Sequence, residues 1–172
     1  MATLSTIKDK TLELLSKFEI TTPPIDIKKI VKGLGLVIEE NSFGESVSGL
    51  LVSKNQNNVI GINVGESPVR QRFTLAHELG HYCLHRTSKD EFLTISKVDF
   101  RNGDSSTGEI KKEREANAFA ANLLMPAHMV SHEVSQLEEN TTIETAVSLL
   151  AKKFNVSEAA MTYRLANLGY TY

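Results

Sequence analysis

Residues 70–85, RQRFTLAHELGHYCLH, contain two histidines and a glutamate in the order His-Glu-x-x-His, a pattern suited to a metal-dependent hydrolase. His77 and His81 are four positions apart, and on an α-helix such residues lie about 40° apart around the axis and about 6 Å apart along it. Both imidazoles can therefore bind one ion, with Glu78 beside them to take a proton from water. The surrounding apolar residues predict a buried helix: Phe73, Leu75, Ala76, Leu79, Tyr82, Cys83 and Leu84.

A catalytic zinc site usually has three protein ligands, so the two histidines need a third partner. In the helix predicted at 110–125, an apolar stripe marks the buried side: Ala116, Ala120, Leu123 and Leu124. Glu113 falls on that side, where a carboxylate is costly unless it is paired or bound to a metal. We therefore predict Glu113 as the third ligand, with Glu115, toward the outward edge of the helix, as the alternative. The remaining downstream candidates are weaker: His85, Glu91, Asp99, Asp104, Glu109, His128 and His132.

Asn117 follows Glu113 by about one helical turn, and its amide is suited to accept a hydrogen bond from the second ring nitrogen of a ligating histidine. A plain amide at the helix edge is the competing reading. His85 is expected to cap the metal helix or to lie on the surface near its end. His128 and His132 are expected to occupy a solvated helix face.

The elements that position these side chains alternate helices with short strands. Apolar periodicity and capping residues predict helices at 3–19, 27–32, 68–85, 110–125, 127–137 and, within the tail 141–172, a pair broken near 154–157. Alternating residues predict strands at 36–39, 48–53 and 59–63, the last two joined by a hairpin turn. Residues 86–109 are typical of a loop with one short ordered piece near 92–95.

These elements predict an α+β fold that is mostly helical, with a small three-stranded sheet. We expect a catalytic core at 1–137, comprising the N-terminal helix, the sheet, the metal helix and the Glu113 helix. A C-terminal helical subdomain at 138–172 is expected to pack on this core.

Composition narrows the class of protein. The 172 residues are 41% apolar and 23% charged, as in a globular domain. A net charge of −2 and a pI near 6.2 argue against a broad nucleic-acid-binding surface. Cys83 is the only cysteine, which excludes an internal disulfide and fits a reducing compartment. Because no stretch has the pattern of a signal peptide or a membrane span, we expect a cytoplasmic protein.

Two segments, RQRFTLAHELGH at 70–81 and EREANAFAANLLMP at 113–126, together resemble the ImmA/IrrE-type family of zinc metallopeptidases. The segment SGLL at 48–51 is similar to that family's approach to the metal helix, and the tail at 154–170 is similar to its C-terminal helix-turn-helix-like segment. The resemblance implies a zincin-like metal helix and one Zn²⁺ per chain. By this resemblance His77, His81 and Glu113 are the ligands and Glu78 is the catalytic base. Mn²⁺ or Fe²⁺ suits the same ligand set.

The resemblance also implies a zinc endopeptidase that cleaves one protein partner, a helix-turn-helix repressor or an antitoxin. The chain resembles standalone members that lack a fused DNA-binding domain. In such a reaction Glu78 takes the proton of the attacking water and delivers it to the leaving amine. Tyr163, Arg70 or Arg72 would donate to the oxyanion or contact the substrate; packing and surface pairing are the competing roles for these three.

Two other functions stay open. The first is a non-proteolytic regulator that binds and inactivates a repressor or antitoxin on the same scaffold, although a structural zinc site needs no base such as Glu78. The second is DNA binding by the tail, where the helix at 158–168 offers Arg164 and Asn167 but few other groups for phosphates or base edges. We therefore expect no direct nucleic-acid binding.

Overall fold

A computed structural model describes residues 3–55, 57–86, 92–97 and 107–170, which form seven helices and four strands. The helices are α1 (Leu4–Lys17), α2 (Ile27–Gly33), α3 (Pro68–Leu84), α4 (Thr107–Leu124), α5 (Ala127–Ser135), α6 (Ile143–Phe154) and α7 (Glu158–Asn167). The strands are β1 (Val37–Asn41), β2 (Val47–Lys54), β3 (Asn57–Asn63) and β4 (Phe92–Lys97). The prediction of a mostly helical α+β protein is confirmed.

The strands form one mixed sheet in the order β1-β3-β2-β4, so β1 and β4 are its edges. Strands β2 and β3 form the predicted hairpin, β1 runs parallel to β3, and β4 runs antiparallel to β2. The prediction of three strands is wrong by one, because β4 lies inside the predicted loop at 86–109. The rest of that loop, 87–91 and 98–106, lies outside the described residues, as do the candidate ligands Glu91, Asp99 and Asp104.

Strand β4 was not predicted as part of the sheet because its polarity is reversed. Leu93 and Ile95 are 61% and 50% exposed, whereas Thr94 and Ser96 donate hydrogen bonds to a buried side chain of α3. Strands with one solvated face usually bury their apolar side chains and expose their polar ones. A strand with hydroxyls on its buried side therefore lacks the usual sequence signal.

Helix α3 is the centre of the fold, since it packs against the sheet on one side and against α4 on the other. It begins at Pro68, after Ser67, whose hydroxyl accepts a hydrogen bond from the backbone of the first turn. Eight consecutive residues from Thr74 to His81 are buried. A helix buried on all sides carries its functional groups in the interior, where neighbouring elements must supply their polar partners.

Two glycines allow these close approaches. A Cβ atom on Gly49 of β2 would lie 2.4 Å from Thr74 Cγ2 of α3. A Cβ atom on Gly80 of α3 would lie 3.2 Å from the backbone of Ala116 in α4. Each distance is shorter than a Cβ atom normally allows. Because glycine has no Cβ atom, β2 and α4 can pack close to α3.

The C-terminal helices α6 and α7 meet at a sharp turn. Asn155 ends α6 in the left-handed region with φ 53°, and the Ser157 hydroxyl caps α7 as predicted. Arg164 of α7 is buried and donates to the Met125 carbonyl at the end of α4 and to Asn122 Oδ1. One hydrophobic cluster includes side chains from both predicted units, and the division near residue 138 stays a prediction.

Within the described part of the chain, no helix has both the length and the apolar character needed to cross a membrane.

Candidate metal centre

His77, His81 and Glu113 bring three ligand atoms together between α3 and α4. The Nε2 atoms of His77 and His81 are 3.0 Å apart. Glu113 Oε2 lies 3.1 Å from His77 Nε2, and Glu113 Oε1 lies 3.2 Å from His81 Nε2. Three atoms that bind a common ion at about 2.0–2.1 Å with tetrahedral angles are about 3.3 Å apart. These three residues, called the ligand triangle below, therefore have neighbouring atoms at about the spacing that a small divalent ion requires.

The second nitrogen of His77 is bound to α4. Asn117 Oδ1 accepts a hydrogen bond from His77 Nδ1 at 2.9 Å, so the proton of the neutral ring lies on Nδ1 and Nε2 presents its lone pair to the triangle. This is the contact predicted for Asn117. Asn117 is also exposed at the edge of α4, as the competing interpretation expected. Its role in orienting a metal ligand therefore stays a proposal.

His81 is held by a longer line of hydrogen bonds. His81 Nδ1 lies 3.1 Å from His85 Nδ1, and His85 Nε2 lies 2.9 Å from Glu115 Oε2. Since an ionised carboxylate only accepts, His85 Nε2 donates to Glu115, and His85 Nδ1 accepts from His81. Burial lowers the pKa of His85, although its hydrogen bond to Glu115 acts in the opposite direction. The neutral ring keeps Nδ1 available as an acceptor.

The structure confirms one prediction about this line and corrects another. His85 caps α3, the first of its two predicted roles, and its side chain is only 5% exposed. Glu115 was expected toward the outward edge of α4, yet it is 8% exposed, whereas Glu113 is half-buried. Helical periodicity predicts the angle at which a side chain leaves its own helix. It does not predict how much of that helix's surface a neighbouring helix covers.

The donor set of the ligand triangle fits a metal ion. With both Nδ1 atoms donating outward, the two Nε2 atoms and the Glu113 carboxylate face one another. Acceptors this close repel one another unless positive charge lies among them, supplied either by protons on the rings or by an ion. Burial by itself raises the pKa of Glu113, but hydrogen bonds and positive charge from His77 and His81 lower that pKa to about 2. The carboxylate is therefore ionised at neutral pH and available to a cation.

Glu78 lies on the side of α3 that faces the sheet and is completely buried. Its Oε2 accepts a hydrogen bond from Thr94 Oγ1 at 2.7 Å, and its Oε1 accepts one from the Ser96 hydroxyl. Donors on both oxygens hold the carboxylate in one orientation. Sequence reasoning missed Thr94 and Ser96 because it did not assign β4 to the sheet.

Other predicted contacts are not assembled at the ligand triangle. Arg72 donates to the Ile25 carbonyl before α2, which directs its guanidinium toward that segment. Tyr163 is 74% exposed and lines a surface groove of about 590 Å³ with Arg70 and Phe73. The Phe73 ring lies 6.4 Å from the His77 ring, centroid to centroid, so the groove reaches the neighbourhood of the triangle. A substrate contact by Tyr163 stays a prediction.

Two histidines of α5 and one arginine of α7 lie outside the site. His128 and His132 are exposed on α5, as expected. Arg164, one of the two groups considered for DNA contact in the tail, is buried against the end of α4. The helix at 158–168 therefore uses its arginine to pack on the core.

Comparison with known proteins identifies the family of this chain. Residues 31–166 match the family described as the IrrE N-terminal-like domain, peptidase family M78. The match covers most of the chain and all three members of the ligand triangle. The chain belongs to this family of metallopeptidases, and the resemblance to ImmA/IrrE-type proteins is confirmed.

Three relatives illustrate the similarity. The chain is 28% identical to the metallopeptidase ImmA of Bacillus subtilis (strain 168) over 145 residues, 84% of this chain and 73% of the relative. It is 36% identical to the radiation response metalloprotease IrrE of Deinococcus radiodurans over 110 residues, 64% of this chain and 31% of the relative. It is 30% identical to IrrE of Deinococcus deserti over 164 residues, 95% of this chain and 54% of the relative. The chain thus spans about half or less of the two IrrE proteins.

Proposed function

We propose that this chain is a zinc-dependent endopeptidase in which His77, His81 and Glu113 hold the ion and Glu78 is the catalytic base. The observation that carries this proposal is the close approach of four acceptor atoms. The Nε2 atoms of His77 and His81 lie 3.0 Å apart, and Glu113 places Oε2 3.1 Å from the first and Oε1 3.2 Å from the second. The outer nitrogens of both histidines are already hydrogen-bonded, which orients the rings for binding through Nε2. Because Mn²⁺ and Fe²⁺ suit the same ligands, the experiment has to identify the ion.

When bound, a divalent ion lowers the pKa of water and polarises the scissile carbonyl. Glu78 follows His77 directly in the sequence, and we assign its carboxylate to take the proton of the attacking water and return it to the leaving amine. Thr94 and Ser96 orient this carboxylate from β4. Glu113 is half-buried and Asn117 is exposed, so a substrate can approach the ligands along this edge of α4.

We further propose that the substrate is a single protein, a helix-turn-helix repressor or an antitoxin, cut at one site. The sequence resemblance to ImmA/IrrE-type regulators supports this choice.

Metal content tests the ligand assignment in the wild type, Glu113→Ala, Glu78→Gln and His132→Ala, the last an exposed-histidine control. We expect about one zinc ion per chain in all of them except Glu113→Ala, which should retain almost none. Circular dichroism establishes that each variant is folded. Full zinc occupancy in folded Glu113→Ala would show that the ligand assignment is wrong.

Cleavage is tested in cells that express either the wild type or Glu78→Gln, by comparing new protein N-termini by mass spectrometry. We expect a DNA-binding repressor or antitoxin to be cut only in the wild-type cells, and the purified pair to reproduce that cut. Fully metallated protein with no Glu78-dependent cut would overturn the endopeptidase proposal.

A non-proteolytic regulator is the second candidate, favoured by the two hydroxyls that occupy both oxygens of Glu78. Such a regulator would bind its repressor and inactivate it without a reaction. In that case Glu78→Gln would keep its full effect on a reporter gene under the repressor. An endopeptidase would lose that effect together with the cut.

A further inference from the structure

We propose that His85 and Glu115 are positioning residues that hold His81 in its metal-binding tautomer and thereby set the metal affinity of the site. The inference rests on the proposed function, since it concerns the same ligand triangle. The observation is the line of hydrogen bonds from Glu115 Oε2 to His85 Nε2 at 2.9 Å and from His85 Nδ1 to His81 Nδ1 at 3.1 Å. Neither residue belongs to the triangle, so both act through His81.

The pair is built into the contact between α3 and α4. The side chains of His85 and Glu115 are only 5% and 9% exposed. No described residue donates to Glu115 Oε1, so the burial of this carboxylate is only partly compensated. A buried polar pair of this kind is a weak source of stability. Its clearest physical effect is to give His81 one defined acceptor.

The effect on His81 follows from the chemistry of imidazole. A ring whose Nδ1–H donates toward a carboxylate is held in one orientation and is a better electron donor at Nε2. His85 can relay this effect because one of its nitrogens accepts while the other donates. At His77 the acceptor of Nδ1 is the neutral amide of Asn117. We therefore expect His85 to influence metal affinity more strongly than Asn117 does.

Two substitutions separate positioning from packing. His85→Asn places an amide oxygen near the position of Nδ1, so it keeps an acceptor for His81 but does not reach Glu115. His85→Gln places an amide nitrogen near the position of Nε2, so it keeps a donor for Glu115 but offers no acceptor to His81. A purely structural pair would tolerate His85→Gln better, whereas the positioning role requires His85→Asn to retain more metal affinity.

The Zn²⁺ affinity of the apo-protein is measured by competition with a fluorescent chelator. We expect His85→Leu and His85→Gln to weaken binding about 10–100-fold, His85→Asn to weaken it less, and the exposed control His132→Leu to leave it unchanged. Glu115→Leu should weaken binding in the wild-type background. It should add nothing in the His85→Leu background, because the line to His81 is already broken.

The tautomer of His81 supplies a readout that packing does not move. Imidazole ¹⁵N shifts of the apo-protein should show the proton on His81 Nδ1 in the wild type and a mixture of tautomers in His85→Leu. Unchanged affinity and an unchanged tautomer in folded His85→Leu would overturn this inference alone. If that variant does not fold, better Zn²⁺ binding by His85→Gln than by His85→Asn would overturn it. A wild type that binds no Zn²⁺ would overturn the proposed function as well.

Discussion

The two sides of helix α3 are supported by different kinds of structure. On the α4 side, one regular helix supplies Glu113 beside both histidines, Asn117 to His77, and Glu115 to His85, which in turn contacts His81. On the sheet side, the partners of Glu78 come from β4, an edge strand that pairs with β2 alone. The proposed metal ligands and the proposed base thus have separate supports, so we expect that a substitution can disturb one of them and leave the other unchanged.

The largest effect is expected from Glu78→Gln. The amide keeps the shape of the side chain but cannot take a proton, so cleavage of the protein substrate should slow by about 10²–10⁴-fold. Because Glu78 is not a member of the ligand triangle, Zn²⁺ affinity should stay at the wild-type value. Single-turnover cleavage and chelator competition on the same samples measure both. A large loss of zinc would contradict the separation of the two sides.

The next effect is expected on the α4 side from Asn117→Ala. Loss of the acceptor for His77 Nδ1 should weaken Zn²⁺ binding by about 10-fold, while cleavage at saturating Zn²⁺ changes much less. Asn117→Asp is the matched control, since a carboxylate still accepts from the ring and should restore the affinity. If Asn117→Asp binds zinc as weakly as Asn117→Ala, the hydrogen bond is not what orients His77.

An effect of similar size, on stability rather than on metal binding, is expected on the sheet side from the double variant Thr94→Val, Ser96→Ala. It leaves the buried Glu78 carboxylate without its two hydroxyl donors, which should lower the free energy of unfolding by about 1–3 kcal/mol. Urea denaturation at pH 7 measures this loss. Thr94→Ser keeps its hydroxyl and should be nearly neutral. A double variant with weakened Zn²⁺ binding would show that the two sides are coupled.

The smallest effect is expected at Cys83, which lies near α1 residues such as Leu14 and contributes to neither side. Burial raises the pKa of its thiol to about 12, so iodoacetamide should not modify the folded protein near pH 8. The unfolded thiol has a pKa of about 8.5. Between about pH 9 and 12 the unfolded chain therefore loses its proton first, and the free energy of unfolding falls as the pH rises. Cys83→Ala should lack this part of the slope, and an identical slope would contradict the assignment.

The placement of Glu113 on the α4 side was predictable, because the spacing of residues along a helix indicates which of them share a face. Glu113 precedes Ala116 and Ala120 by three and seven positions, which placed it near the buried stripe of α4. The spacing of His81 and His85 was also visible, but it did not reveal Glu115, since that partner depends on how α3 and α4 cross. Periodicity within one helix cannot supply the contact between two helices.

The sheet side was not predictable in the same way. Thr94 and Ser96 occupy the buried face of β4, where sequence rules expect apolar residues. Their burial makes sense only when Glu78 is known to lie opposite them. The match between a polar strand face and a buried carboxylate depends on the tertiary structure, and no local pattern in 92–97 predicts it.

Gly80 contributes no ligand atom, yet it lets α4 approach α3 closely beside the proposed metal ligands. A Cβ atom there would lie 3.1 Å from Phe119 Cδ1 and 3.2 Å from Ala116 Cα, so its neighbours in α4 would have to move by a few tenths of an ångström. Such a shift of α4 would carry Glu113 away from the two histidines and widen the ligand triangle. A wider triangle suits a larger, harder cation than zinc. The metal selectivity of the proposed site would then depend partly on the absence of a side chain.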